Sequence, residues 1–167
     1  AKFNKYFDMY LILRYFCIKR INMKHIVVVM GNIGTGKSTF VSTLNRRNHR
    51  CFIENDDYEE GQESKFNKDI ESAVLSGKNI ILEGNYMTRC LRSTIVNNSD
   101  FKLHGYRFVC FDFGPGNDAS LKRRLAEPVI PEQETIDVHE QYKREYEKPT
   151  VYEGFSKVIY CFDEKEM

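Results

Sequence analysis

The chain has 167 residues, about one domain and enough to bury a proper core. Its 25 basic and 24 acidic side chains leave a formal net charge of +1, which argues against a protein that coats nucleic acid by bulk charge, although a local basic groove is compatible with it. The five cysteines (Cys17, Cys51, Cys90, Cys110 and Cys161) form no C-x-x-C pair and are odd in number, which argues against a disulfide scaffold or zinc knuckle and for a reduced, intracellular, cytoplasmic protein.

In chain order, the first feature is an apolar run over 9–18. It is too short to span a bilayer and Arg14 interrupts it, so no stable membrane association is expected. The domain is expected to occupy 23–167, beginning near Met23, with 1–22 as an N-terminal extension. The β-branched run 25–30 predicts a strand buried on both faces. A glycine-rich turn follows and opens a helix over 37–48. A short strand is expected over 50–54. A helix over 64–76 carries Phe66, Ile70, Ala73 and Val74 at helical spacing and stops at Gly77. A third strand, 79–83, ends in Glu83-Gly84-Asn85. Thr88 can cap a helix running to about 97, with Leu91 and Ile95 on one face. A strand over 106–112 and a helix over 118–126 come next, then a break at 128–131. The helix over 132–147 presents Ile136, His139, Tyr142 and Tyr146 in a stripe and ends before Pro149. A last strand is expected over 157–162. Strands alternating with helices predict right-handed βαβ units, hence an α/β fold of three layers: a mainly parallel five-stranded sheet with helices on both faces. A ligand should then sit at the carboxyl ends of the strands.

The glycine turn carries the chemistry. Gly31-Asn32-Ile33-Gly34-Thr35-Gly36-Lys37-Ser38-Thr39 matches the P-loop spacing G-x-x-x-x-G-K-S between a strand and a helix. The glycines let successive N–H groups face one anion, and the helix aims its positive dipole end at the same place. Lys37 should reach the β- and γ-phosphates of a nucleoside triphosphate such as ATP. The Ser38 hydroxyl should ligate the Mg²⁺ that bridges them. A guanine-reading Asn-Lys-x-Asp motif is absent, as is the strand ending in Asp-Glu of a motor, so a small kinase is the preferred reading. Past the second strand, Asp56 and Asp57 can face an acceptor, and a carboxylate there can serve as the general base that takes the proton of the attacking hydroxyl. Glu83 and Asn85 are further candidates on the acceptor side, with Arg89 and Arg92 on the following helix. Arg123 and Arg124 precede the 128–131 break, where a mobile lid could bring a guanidinium to the transferred phosphoryl. The four histidines are too scattered for a metal cluster.

Four stretches together resemble the 5′-hydroxyl polynucleotide kinases. They are Gly31–Thr39, Asn55-Asp56-Asp57-Tyr58, Glu83-Gly84-Asn85, and the run from Tyr142 through Lys148-Pro149-Thr150 to Glu153-Gly154-Phe155. The likeness spans about 24–163. It implies a P-loop kinase fold, an ATP- and Mg²⁺-dependent phosphotransferase, Asp56 as base, and a 5′-hydroxyl DNA or RNA end as partner. The chain departs from that pattern at Glu59 and Glu60, where an acceptor-binding arginine is expected nearby. That departure keeps a second reading open, a kinase of a small-molecule hydroxyl on a nucleoside, sugar or antibiotic. A non-catalytic nucleotide-binding module is the third.

Overall fold

The structure is a computed structural model, and it describes residues 23–47, 51–55 and 63–163. The expected extension 1–22 and the acidic pair Asp56-Asp57 lie outside the described residues. Five strands, β1 (His25–Met30), β2 (Cys51–Asn55), β3 (Asn79–Gly84), β4 (Arg107–Asp112) and β5 (Lys157–Tyr160), pair in the order β2-β3-β1-β4-β5, every pairing parallel. Side-chain packing is described for β1, β3, β4 and β5; β2 joins the β3 edge through its backbone register, with Asn55 opposite Glu83. The helices are α1 (Lys37–Arg47), α2 (Glu63–Leu75), α3 (Arg89–Val96), α4 (Ser99–Leu103), α5 (Asp118–Ala126) and α6 (Glu132–Glu145), with a 3₁₀ turn at Val151–Glu153.

Alternation along β1 explains the layers. Ile26, Val28 and Met30 face one core, with Ala73 and Val74 of α2, Ile95 and Val96 of α3, and Phe155. Val27 and Val29 face the other, with Phe40, Val41 and Leu44 of α1 and with Phe111 and Phe113. A strand covered on both sides has no polar face, which is why the sequence of β1 is a continuous β-branched run. Each such buried side chain contributes on the order of 1.5–3 kcal/mol.

α3 differs from its expected face. Thr88 caps it as anticipated, accepting from the Leu91 amide at 3.2 Å. The face turned inward, however, is Arg92, Ile95 and Val96, while Leu91 is exposed. In α6 the buried positions are Thr135, His139 and Tyr142, and Ile136 is only half-buried. β5 ends at Tyr160, two residues short of the expected strand. Because every strand is parallel, all five carboxyl ends open on one side, and the loops Gly31–Gly36, 85–88 and 113–117 gather there. Among the described residues no helix is long and apolar enough to cross a membrane.

Candidate active site

The loop between β1 and α1 is shaped by glycines that nothing else could replace. Gly34 has φ +70°, and a Cβ there would lie 2.1 Å from the Ser120 carbonyl oxygen of α5. Gly31 has φ +145°, and its Cβ would meet that of Phe113 at 2.6 Å. The backbone therefore passes directly beneath α5 and the β4–α5 loop. α1 begins at Lys37, so the positive end of its dipole faces the turn. Lys37 Nζ donates to the Asn32 carbonyl at 2.9 Å, and Thr35 Oγ1 donates to the same oxygen at 2.6 Å. Ser38 and Thr39 are exposed at the first turn of α1. Asn32 is different from its neighbours: it is fully buried, and its amide is directed into the protein rather than toward a ligand.

Ser38 Oγ donates to Glu83 Oε1 at 2.6 Å. The register explains this meeting, since Glu83 of β3 stands opposite Val29 of β1, two residues before the loop. Glu83 is 8% exposed, so its carboxylate is held in place while one edge reaches solvent. A hydroxyl and a carboxylate side by side are hard oxygen donors, which suits Mg²⁺; that ion takes one or two protein ligands and fills its other positions with water and phosphate oxygens. Among the described residues there is no group of three or more His, Cys, Asp or Glu side chains, so a cage formed entirely by such side chains is not what these residues would provide.

The acceptor-side candidates divide. Asn85 and Arg89 are exposed at the carboxyl end of β3 and the start of α3. Arg92 is not among them. Its side chain is fully buried and forms a two-pronged pair with Glu153, Nε to Oε2 at 2.7 Å and Nη2 to Oε1 at 2.9 Å. Its remaining nitrogen donates to the carbonyls of Tyr86 and Met87. Burial works against its charge, but the hydrogen bonds and charge of Glu153 outweigh it and hold the guanidinium above its ordinary pKa. With all three nitrogens engaged inside the protein, Arg92 cannot meet an acceptor phosphate.

On the other side of the loop, Arg123 Nε donates to the Gly34 carbonyl at 3.1 Å from an exposed position on α5. Arg124 packs its Cβ close above Gly34, and its Nε is buried without a hydrogen-bond partner. A cavity of about 110 Å³ opens beside this contact, between Thr35, Gly116, Asn117, Arg123, Cys161 and Phe162. Sequence reasoning did not anticipate Asn117 or Phe162; the Gly-Pro-Gly-Asn turn directly after a strand was the available signal.

Behind the loop lies Asp112, also not anticipated. It is fully buried at the end of β4, opposite Met30. Burial raises its pKa, and the hydrogen bonds it accepts from the Tyr146 hydroxyl and the Gly114 amide oppose that rise. Burial, reinforced by the charge of Asp112, drives the Tyr146 and Tyr142 hydroxyls well above the usual tyrosine range, so both keep their protons.

No family model matches the chain, and no curated protein matches it in sequence. Solved structures do. A fungal RNA kinase superposes with a TM-score of 0.69 at 19% identity, over 87% of this chain and 78% of that one. The crystal structure of APE1195 superposes with a TM-score of 0.51 at 13% identity, over 87% of each chain. At these identities the likeness is one of fold. The chain has an α/β fold with a parallel sheet, similar to that of the fungal RNA kinase.

Proposed function

We propose that this chain is an ATP-dependent kinase that transfers the γ-phosphate to the 5′-hydroxyl end of a polynucleotide. The observation that carries the donor half is the contact of Ser38 with Glu83 beside the Gly31–Thr39 loop. It brings a phosphate cradle, a cation and a hard-oxygen pair to one place. Lys37 and Arg123 each rest on a carbonyl of the loop. A triphosphate offers both a stronger acceptor, because an anionic oxygen adds a charge–charge attraction that a neutral carbonyl lacks. Lys37 would turn from Asn32 to the phosphates, and Arg123 from Gly34 to the transferred group. Mg²⁺, when bound, neutralises charge on the phosphate oxygens. The cavity between Thr35, Asn117 and Phe162 is where we seat the donor base.

The acceptor half is supported by the resemblance of Asn55–Tyr58 and of the 142–155 run to 5′-hydroxyl polynucleotide kinases, and by the fungal neighbour being an RNA kinase. Asp56 follows Asn55, whose Cα stands opposite Glu83. In this reading Asp56 takes the proton of the 5′-hydroxyl as it attacks, and Asp57, Asn85 and Arg89 orient the strand end. The withdrawal of Arg92 into its pair with Glu153 favours a second reading. With one fewer cation for acceptor phosphates, the hydroxyl could belong to a small molecule such as a nucleoside.

The test is γ-labelled ATP offered with 5′-hydroxyl DNA, 5′-hydroxyl RNA and a panel of nucleosides. Label on an oligonucleotide end supports the first reading; label on a nucleoside alone sinks it. Asp56→Asn should keep ATP binding and lose about 10²-fold or more in transfer.

A further inference from the structure

Asn32 stands inside the phosphate loop yet offers its side chain to no ligand. It is fully buried. Its Nδ2 donates to the Pro115 carbonyl at 2.7 Å and to the His139 carbonyl at 2.9 Å, and its Oδ1 accepts from the Ile33 amide at 2.8 Å. Both amide protons and the carbonyl oxygen are thus engaged with backbone. Pro115 belongs to the loop that leads into α5, and His139 lies in the middle of α6. One side chain therefore joins the loop to the turn that leads into α5 and to the middle of α6, the two helices of a hairpin that carries Arg123.

The surroundings leave no slack. Gly116 has φ +78°, and a Cβ there would fall 2.8 Å from Ser120 Oγ, 3.0 Å from His139 Nε2 and 3.1 Å from Asn32 Cβ. Ser120 Oγ in turn contacts His139 Nε2 at 3.2 Å and closes the capping box of α5 with Asn117. Asn32, Gly116, Ser120 and His139 form a tightly packed polar cluster under the loop. The backbone carbonyl of the same Asn32 holds Lys37 Nζ and Thr35 Oγ1. A residue whose carbonyl receives the phosphate-binding lysine and whose amide fixes the hairpin is placed to make the two move as one unit.

We infer that Asn32 is a positioning residue that couples the phosphate loop to the α5–α6 hairpin, so that seating a triphosphate on the loop orders the hairpin and its Arg123. The inference rests on the donor-site reading above and not on the identity of the acceptor. No isostere serves at this position. Asp presents a carboxylate oxygen to two carbonyls, and Leu presents no donor, so the Pro115 carbonyl loses this partner and the His139 carbonyl keeps only its bond within α6.

The experiment is amide hydrogen exchange on the full chain, with and without saturating Mg·ATP. It compares wild type, Asn32→Ala, and Phe101→Leu as a control that loosens the opposite core. Wild type and Phe101→Leu should show nucleotide protection both at 31–39 and across 118–145. Asn32→Ala should keep protection at 31–39, while protection of 118–145 falls tenfold or more and transfer slows by on the order of 10- to 100-fold, as for a misplaced reacting group. A merely structural role would lower the melting temperature of Asn32→Ala but leave its hairpin protected as in the control, and that result overturns the inference. So does full hairpin protection in Asn32→Ala alongside wild-type transfer, an outcome that leaves the kinase reading standing. Absence of nucleotide protection in wild type removes the donor site and this inference together. A protected loop with no label on any hydroxyl removes only the proposed acceptor.

Discussion

At the scale of single residues, the pair Ser38–Glu83 divides binding from chemistry. Glu83→Gln keeps an oxygen that can accept from the Ser38 hydroxyl at 2.6 Å, so the fold and the loop geometry should survive. What it removes is the negative charge beside the expected Mg²⁺. ATP affinity in the absence of metal should stay within about twofold, while transfer falls on the order of 10²-fold and half-saturation moves to higher Mg²⁺, as expected when a charged oxygen ligand is lost. A Mg²⁺ titration of the initial rate checks this, and an unchanged metal dependence would remove Glu83 from the site. Asp112 makes a prediction in pH. Its folded pKa lies above the ordinary 3.8, chiefly through burial. Between those two values the folded chain binds more protons at this group than the unfolded chain. Stability from Asp112 is therefore complete at low pH and lost as pH rises past 3.8 toward the raised value. Asp112→Asn should lessen that decline in urea midpoints measured between about pH 4 and 7; equal slopes in both proteins would show that the carboxyl does not titrate there. Lys37 and Ser38 were readable as candidates because the roles expected of them follow from a contiguous motif. Glu83 was legible as a residue but not as the partner of Ser38, since that contact depends on β3 lying beside β1. Asp112 became a candidate only when its burial was known, and Asn32, expected to line the phosphate loop, showed its inward-turned amide only then.

At the scale of elements, α3 and the turn after α6 are held together by charge. Arg92 and Glu153 are 61 residues apart in sequence, and their side chains are 0% and 6% exposed. A capping box between Thr150 and Glu153 orients the acid, and the Glu147 amide bonds the Met87 carbonyl nearby. Removing one member leaves a buried charge without its partner, which costs about 3–5 kcal/mol, whereas removing both with apolar residues of similar size costs far less. Arg92→Met and Glu153→Leu should each destabilise by that amount in urea unfolding, and the double variant should recover most of the loss. A double variant as unstable as the sum of the singles would show that the two side chains do not act as a pair. The helix itself was readable from Thr88 and Ile95, yet its inward face was not. An arginine with no acidic partner within four residues reads as a solvated surface group, and the partner that buries Arg92 is a tertiary one. The same long range accounts for the 142–155 run. Its Glu147 and Glu153 fasten α3, and Tyr146 caps Asp112, so this stretch serves the framework that holds the loop.

At the scale of the whole molecule, the order β2-β3-β1-β4-β5 puts the phosphate loop at the centre of the sheet, with Glu83 on one neighbouring strand and Asp112 on the other. The alternation of strands and helices was enough to expect a parallel sheet and a site at its carboxyl edge. It was not enough to show that α5 rests on the loop, because the contact of Gly34 with Ser120 joins backbone to backbone and leaves no side-chain pattern. The consequence is that the proposed donor site draws on residues from Gly31 to Arg123 and beyond, and would form only in the folded chain. A ligand bound there stabilises the entire domain by mass action, about 2.7 kcal/mol at a hundredfold excess over its Kd. For a domain of this size that is a rise in melting temperature of roughly 5–11 °C, taking about 2–4 °C per kcal/mol. Calorimetry with Mg·ATP should find that rise in wild type. Lys37→Ala removes the cation while leaving the glycine turn, α1 and both cores in place, so its unliganded melting temperature should stay within about 2 °C and the nucleotide-induced rise should disappear. An equal rise in both proteins would mean that the triphosphate binds away from this loop.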